Sequence, residues 1–424
     1  MSVIKKLFSK GIYYNLLSLL NVFLGFVFIV LIGREFGASL QSDTYFLSIV
    51  VITYLGYFIQ SVWEAFTPYF AEAKLKDFNI ASKMFSVLLN YLIIVAIFMV
   101  FIYFFISSTF EIEFLNEELK SFLNVFIFYL IFQNILFLNK TILNLEGFYA
   151  SFYFVDIFVH VVNILTILFL MHKDLIVIAY SSIIATILVN IWQFLLIFKK
   201  LKLRYYFSFY IDDTLAILKN SSKLKLSSII LGIKDLIVAW VFVGFGAGSY
   251  SLYSYANKFL GVIMQIANAP VVNIFAAKAT HLIAQKRYSD SVKMLKDVYF
   301  KSISLYVLGV SVTYFLIPYI IRFLFSDKFN ESDIVMIREI FFIMSFYYLC
   351  IVIASPTGRV LTILKEFNFY LLNATIYSTI IVISYFFDYE SVYHFLYMLV
   401  FAATIYATNI SFFYKKSIRG LNDG

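Results

Sequence analysis

Apolar residues in this chain do not alternate with polar ones. They run in blocks of about twenty, each closed by charges, Gly or Pro. The blocks fall near residues 12–32, 44–67, 84–107, 120–143, 151–171, 175–198, 224–245, 250–275, 299–324, 336–357, 368–387 and 391–414. A helix rises about 1.5 Å per residue, so blocks of this length cross a hydrocarbon layer of about 30 Å. The pattern predicts an all-α polytopic membrane protein of about twelve transmembrane helices. The opening, "MSVIKKLFSKGIYYNLLSLLNVFLGFVFIVLIG", has the basic head of a secretory signal. Its apolar block is longer than a signal's and another follows at once, which predicts an uncleaved first helix.

The polar punctuation between the blocks repeats. Blocks one and seven run into Phe36-Gly37-Ala38 and Phe245-Gly246-Ala247, each followed by a Ser-containing turn. Blocks two and eight end in "PYFAEAK" (68–74) and "VNIFAAK" (272–278), and "ILNLEGFY" (142–149) and "LTILKEFNFY" (361–370) join blocks four to five and ten to eleven. Three landmarks in one order, on the same side each time, predict two parallel six-helix lobes, 1–200 and 223–424, around a central cavity. Between them, residues 201–222 read as a basic, partly amphipathic cytoplasmic linker on the inner leaflet.

Composition excludes a soluble domain: 62% of residues are hydrophobic and 14% charged, against roughly a quarter charged in soluble proteins. Charge also sets the expected orientation. With the N-terminus inside, the outer segments hold Arg34, Lys120, Lys173, Arg322, Lys328 and Arg338, and nearly all other Lys and Arg are inside. Both termini are therefore expected in the cytoplasm. The net charge of +8 is spread through short loops as expected for contact with the bilayer, with no nucleic-acid motif. The lone Cys350 and the scattered His160, His172, His281 and His394 suggest no disulfide, metal or redox site. "GFGAGS" lacks the strand-to-helix context of a phosphate loop, and Glu111, Glu113, Glu117 and Glu118 read as a solvated outer face. No nucleophile with an adjacent base is visible, so neither an enzyme nor a cofactor is expected.

The chemistry lies in the few polar groups inside the blocks. An ionisable group at mid-membrane costs about 2.5–3.5 kcal/mol on insertion scales, so it faces a wet cavity or a partner. Lys234 and Asp235 lie mid-block, and Lys258 lies a little over two turns into block eight, beside Asn257 and ahead of Gln265 and Asn268. These six are the candidate substrate-binding residues, with the lysines attracting an anion. Local neutralisation by neighbouring helices is the alternative for Lys234 and Asp235. Because adjacent residues lie about 100° apart on a helix, those two are expected to point in different directions. Thr53, Gln60, Glu64 and Thr67 form a polar stripe, with Gln60 and Glu64 as candidate pathway residues or a helix contact. Asp156, His160 and Asn163 form a second stripe, read as a structural cluster or a proton-linked site.

These landmarks also carry a family resemblance. "LGFVFIVLIGREFGASLQSDTYFL" and "EAFTPYFAEAK" resemble the opening of the MurJ-type (MviN) lipid II flippases of the multidrug/oligosaccharidyl-lipid/polysaccharide (MOP) superfamily. "ILNLEGFYASFYFVDIFVHVVNILTI" and "GAGSYSLYSYANKFLGVIMQIANAPVVNIFAAKA" extend it over most of the first 280 residues. The resemblance implies a MOP/MATE-like fold, outer-rim or gating roles for Arg34 and Asp43, and a cavity role for Lys258, which falls on a family arginine. Phe28 stands where the family has a further cavity arginine, and Gly56, Tyr57 and Phe58 where it has an arginine pair. The family has fourteen spans; twelve also resemble the Wzx-type polysaccharide flippases of the same superfamily. The implied substrate is a lipid-linked (undecaprenyl-pyrophosphate) oligosaccharide or peptidoglycan precursor, carried across the bacterial inner membrane. A coupling ion and glycan-assembly enzymes are the implied further partners. A cation antiporter of the same superfamily and a non-transporting glycan-assembly scaffold remain open.

Overall fold

The computed structural model describes residues 2–109, 116–170, 174–210, 214–325, 328–364, 366–387 and 389–422. Among the described residues there are helices and no strand. The physical reason is solvent: hydrocarbon cannot hydrogen-bond to a peptide group, and a helix satisfies its backbone within one segment. Among the described residues ten helical segments are long and apolar enough to cross a membrane, and an eleventh if one bent pair counts as a single span.

The chain divides into two compact units, one of Met1–Phe36 with Thr44–Lys225 and the other of Gly37–Asp43 with Leu226–Gly424. The first unit holds α1 (Ser2–Phe36), most of α2 (Leu40–Lys76), α3 (Phe78–Thr109), α4 (Glu117–Phe126), α5 (Tyr129–Leu145), α6 (Tyr149–Leu170) and α7 (Ile176–Lys199). Its apolar core joins Phe70 of α2, Phe85 and Leu92 of α3, Leu138 and Ile142 of α5 and Ile197 of α7. Several polar groups inside it bond across helices. Asn190 bridges α7 to α5, accepting from Asn139 at 3.2 Å and donating to the Phe132 carbonyl at 2.8 Å. Asn163 of α6 accepts from the hydroxyls of Ser181 and Ser182 at 2.9 and 3.2 Å.

The second unit holds most of α8 (Thr214–Gly244), then α9 (Ser249–Ala267), α10 (Ala269–Ala284), α11 (Tyr288–Phe325), α12 (Glu331–Ile363), α13 (Phe367–Tyr385) and α14 (Val392–Asn422). Helix α12 packs against α9, α11 and α14. Asn330 and Asp333 start it with a reciprocal capping box. Gly309 lets α11 approach α9, since a Cβ there would lie 2.9 Å from Ile263.

Four details depart from the expected pattern. The span over 120–143 is α4 and α5, bent by 42° between Phe126 and Tyr129. The span over 250–275 is also two helices, broken at Asn268 just before Pro270, whose missing N–H suits the first turn of α10. The span over 368–387 is helix α13, which stands outside the ten membrane-length apolar segments, and several of its polar groups are taken up within the unit. Asn373 donates to the Tyr406 carbonyl and accepts from Asn409, and Ser378 donates to the Ile230 carbonyl. Fourth, the amphipathic linker expected over 201–222 begins as an extended strap. Its Arg204 and Tyr206 N–H groups donate to Ser82 and Ser86 of α3, while Asn90 of α3 holds the Ser208 carbonyl and the Tyr205 hydroxyl. From Thr214 onward the chain is already in α8.

Hydrogen bonds between membrane helices contribute roughly 0.6–2 kcal/mol each. Asn190→Ala removes both contacts to α5 and is expected to lower the thermal-unfolding midpoint in detergent by a few degrees. An unchanged midpoint would show that these bonds contribute nothing.

Candidate functional site

Lys234 lies in the membrane-spanning part of α8, Leu226–Gly244. Its ammonium meets the Asp235 carboxylate at 2.7 Å and lies 5.4 Å from the centre of the Tyr347 ring. The expectation that these two neighbours point apart is corrected here. The rotation holds for the Cα–Cβ bonds, but a four-carbon lysine stem curls back far enough for its charge to reach the next residue. Tyrosines surround the pair: the Tyr347 hydroxyl is 2.9 Å from that of Tyr377, and Tyr253 and Tyr348 are within electrostatic range of Lys234. Tyr253 is held between Phe242 at 4.6 Å and Tyr250 at 5.9 Å between ring centres. The site is thus a neutral ion pair in an aromatic wall, each ring offering an electron-rich face to a cation or a hydroxyl to an acceptor.

Lys258 of α9 differs. It is exposed and has no ion pair or hydrogen-bond partner among the described residues. Gln265, seven residues on and so on the same helical face, is exposed too. Asn257 lies beside the Tyr253 hydroxyl, which ties it to the Lys234 cluster. Asn268 is buried at the break after α9, where its N–H still reaches the Met264 carbonyl at 3.0 Å. The side-chain oxygens of Asn257 and Asn268 are buried acceptors without a protein donor among the described residues. The structure therefore brings together Lys234, Asp235, Asn257 and three tyrosines that sequence reading missed: Tyr253, Tyr347 and Tyr377. Nothing in a chain with 33 tyrosines singles those out; only packing does.

Asp43 is buried and caps a helix distant in sequence. One carboxylate oxygen accepts from the Gly248 N–H and the other from the Ser251 N–H, both at 2.6 Å, at the start of α9. The fit is close on both sides. A Cβ on Gly248 (φ 87°) would lie 2.6 Å from the Ala38 carbonyl oxygen, and one on Gly37 (φ 62°) 2.8 Å from that of Lys328. Tyr255 also donates to the Gly37 carbonyl at 3.3 Å. The two similar turns, 36–38 and 245–247, are therefore followed by segments that bind each other.

The other candidates separate. Arg34 is exposed on the last turn of α1 and engaged by a neighbour. The side chains of Gln60, Glu64 and Thr67 lie outside the described residues, and Thr53 is exposed. In the first unit, Asp156 is gripped by buried Lys140, whose ammonium is 2.8 Å from both carboxylate oxygens and 4.4 Å from the Phe152 ring centre. His160 abuts Gly25 of α1. Glu111 and Glu113 lie outside the described residues, whereas Glu117 and Glu118 form the first turn of α4, where acids suit the helix dipole.

The family model for "Lipid II flippase MurJ" matches residues 32–355, which include the Asp43 cap, Lys258 and the Lys234 cluster apart from Tyr377. The chain belongs to the MurJ lipid II flippase family. That makes it a membrane transporter of lipid-linked precursors and not an enzyme. The structure is similar to that of the lipid II flippase MurJ in an inward closed conformation, with a TM-score of 0.81 at 19% identity, covering 95% of this chain and 87% of that one. It also resembles an inward-facing MATE-family multidrug transporter of the MOP superfamily (0.70, 12%, 97% and 96%). A Vibrio cholerae MATE transporter is similar as well (0.68, 11%, 99% of each chain). At these identities the likenesses establish the shared helical fold. No curated protein matches the sequence.

Within this MurJ-family chain the Asp43 cap is directly testable. A side-chain acceptor at a helix N-terminus is worth about 0.5–2 kcal/mol. Asp43→Ala, which leaves the Gly248 and Ser251 N–H groups buried without their acceptor, is expected to lower the unfolding midpoint. Asp43→Asn keeps one acceptor oxygen and should fall between. If both variants melt with the wild type, the carboxylate does not hold this turn.

Proposed function

We propose that this protein moves the anionic head of a lipid-linked glycan from the cytoplasmic to the outer leaflet of the bacterial inner membrane by alternating access. The head is an undecaprenyl-pyrophosphate oligosaccharide or a peptidoglycan precursor, and the lipid tail stays in the bilayer. Both termini are placed in the cytoplasm by the positive-inside bias of the loops. The single observation that carries the reading is Lys258: an exposed cation on a membrane-crossing helix, unpaired among the described residues. Such a charge is costly in hydrocarbon, and a pyrophosphate entering a water-filled path is the partner that offsets the cost. Gln265 on the same face, with Asn257 and Asn268 close by, supplies hydrogen bonds to phosphate or sugar oxygens.

Lys234 plays a second part. With Asp235 as its resting partner, it forms a pair without net charge until a phosphate competes for the ammonium. That exchange gives a binding step that leaves no bare lysine behind when the substrate departs. Arg34 and the Asp43 turn form the outer rim, and Gln60 and Glu64 line the pathway toward the inside. Relatives of this fold have been solved inward-facing and outward-facing, which supports alternating access here. An ion gradient or the membrane potential would drive it.

The test is reconstitution with a fluorescent polyprenyl-pyrophosphate glycan and an assay for outer-leaflet accessibility. Lys258→Gln is expected to reduce flipping at least tenfold, and Lys258→Gln with Lys234→Gln to abolish it, with both variants still eluting as folded protein. Normal flipping by the folded double variant would remove this mechanism. Drug resistance on expression without any change in surface glycan would instead assign the protein to cation export.

A further inference from the structure

A crevice of about 310 Å³ opens in the first unit among the start of α6, the last turns of α7 and the early turns of α1, and shares no residue with the Lys234 cluster. Its walls include Tyr13, Leu17, Phe148, Phe154, Trp192 and Leu196. Tyr13 and Phe154 are exposed, so the crevice is open at the surface, and Phe154 packs its ring 5.1 Å from that of Trp192. One polar group at its edge is already used: the Ser151 hydroxyl donates to the Phe148 carbonyl at 2.6 Å. Apart from the Tyr13 hydroxyl and the Trp192 indole N–H the wall is apolar, so it suits a flexible hydrocarbon chain, for which no buried polar atom needs compensation.

Charge at the mouth decides which chain. Trp192, Leu196, Lys199 and Lys200 are spaced i, i+4, i+7 and i+8, so the two lysines stand on the crevice face one turn beyond Leu196. Both are exposed, and the strap that follows adds exposed Lys202 and Arg204. No Asp or Glu occurs from Leu175 to Ile211, so nothing on this stretch of chain neutralises the four cations. Beyond them the strap turns Phe207, Phe209 and Tyr210 outward, aromatic groups that suit the headgroup boundary. We propose that this end of the first unit is a binding site for an anionic phospholipid, with one acyl chain in the crevice and its phosphate at Lys199 and Lys200. Basic pockets between membrane helices recognise anionic headgroups in this way. The site is independent of the transported substrate.

Trp192 is its own reporter. In a Trp63→Phe, Trp240→Phe background it is the one remaining tryptophan, and its fluorescence in nanodiscs can be quenched by brominated phosphatidylglycerol or brominated phosphatidylcholine at equal low mole fraction. The expected result is quenching at least threefold stronger by the anionic lipid. Lys199→Gln with Lys200→Gln should reduce it to the phosphatidylcholine level, and the paired Arg replacements should preserve it. Ala150→Phe, which fills the crevice from its wall, should weaken quenching by both lipids; size-exclusion profiles establish that each variant is folded. Equal quenching by the two lipids, or a preference that survives the double Gln variant, overturns the proposal. Relief of quenching by unbrominated polyprenyl phosphate at lower mole fraction than by phosphatidylglycerol also overturns it, and assigns the crevice to an isoprenoid chain.

Discussion

Hydrocarbon offers no hydrogen bonds and little screening, so a polar atom inside a membrane span must find its partner within the protein or keep contact with water. The hydrogen bonds between helices in each unit follow from this constraint. It makes the backbone helical throughout the spans, and it explains why buried Asn163, Asn190 and Asn373 all bond to groups on adjacent helices. It also accounts for α13, whose polar residues would be costly against lipid but are absorbed by α8 and α14.

The same constraint shapes the turn after α1. Helix α9 begins with N–H groups that have no partner in their own helix. Asp43 supplies both oxygens of its carboxylate to them, and a charge there also suits the positive end of the helix dipole. The glycines follow from how close the segments come: at Gly37 and Gly248 a side chain would strike a carbonyl oxygen, and both have the positive φ that other residues avoid. Residues 37–43 thereby belong with the second unit, although α1 before them and the rest of α2 after them belong to the first.

Three membrane lysines satisfy the constraint in three ways. Lys140 is fully committed, held by both oxygens of Asp156 and by the Phe152 face, so a structural reading of that cluster fits its geometry. Lys234 is neutralised by its neighbour and framed by tyrosines, which leaves the pair open to exchange. Lys258 has no partner among the described residues. The series runs from a closed pair to a cation unpaired among the described residues.

Span positions, the membrane class and the duplicated turn were legible in the sequence because each rests on local periodicity: apolar blocks of fixed length, and short motifs recurring in order. Lys234, Asp235 and Lys258 were legible for a related reason, since a charge in an apolar block is conspicuous wherever it points. Partners were not legible. That Asp43 reaches Gly248, that Lys140 grips Asp156, and that Tyr253, Tyr347 and Tyr377 gather near Lys234 depends on which helices pack together. The pairing of Lys234 with Asp235 needed side-chain reach, which helical rotation does not describe. The sequence by itself determined where the chain enters hydrocarbon and which charges it carries there. Only the tertiary structure decided which of those charges are spent on other residues, because a partner's identity is set by distance in space and not by spacing along the chain.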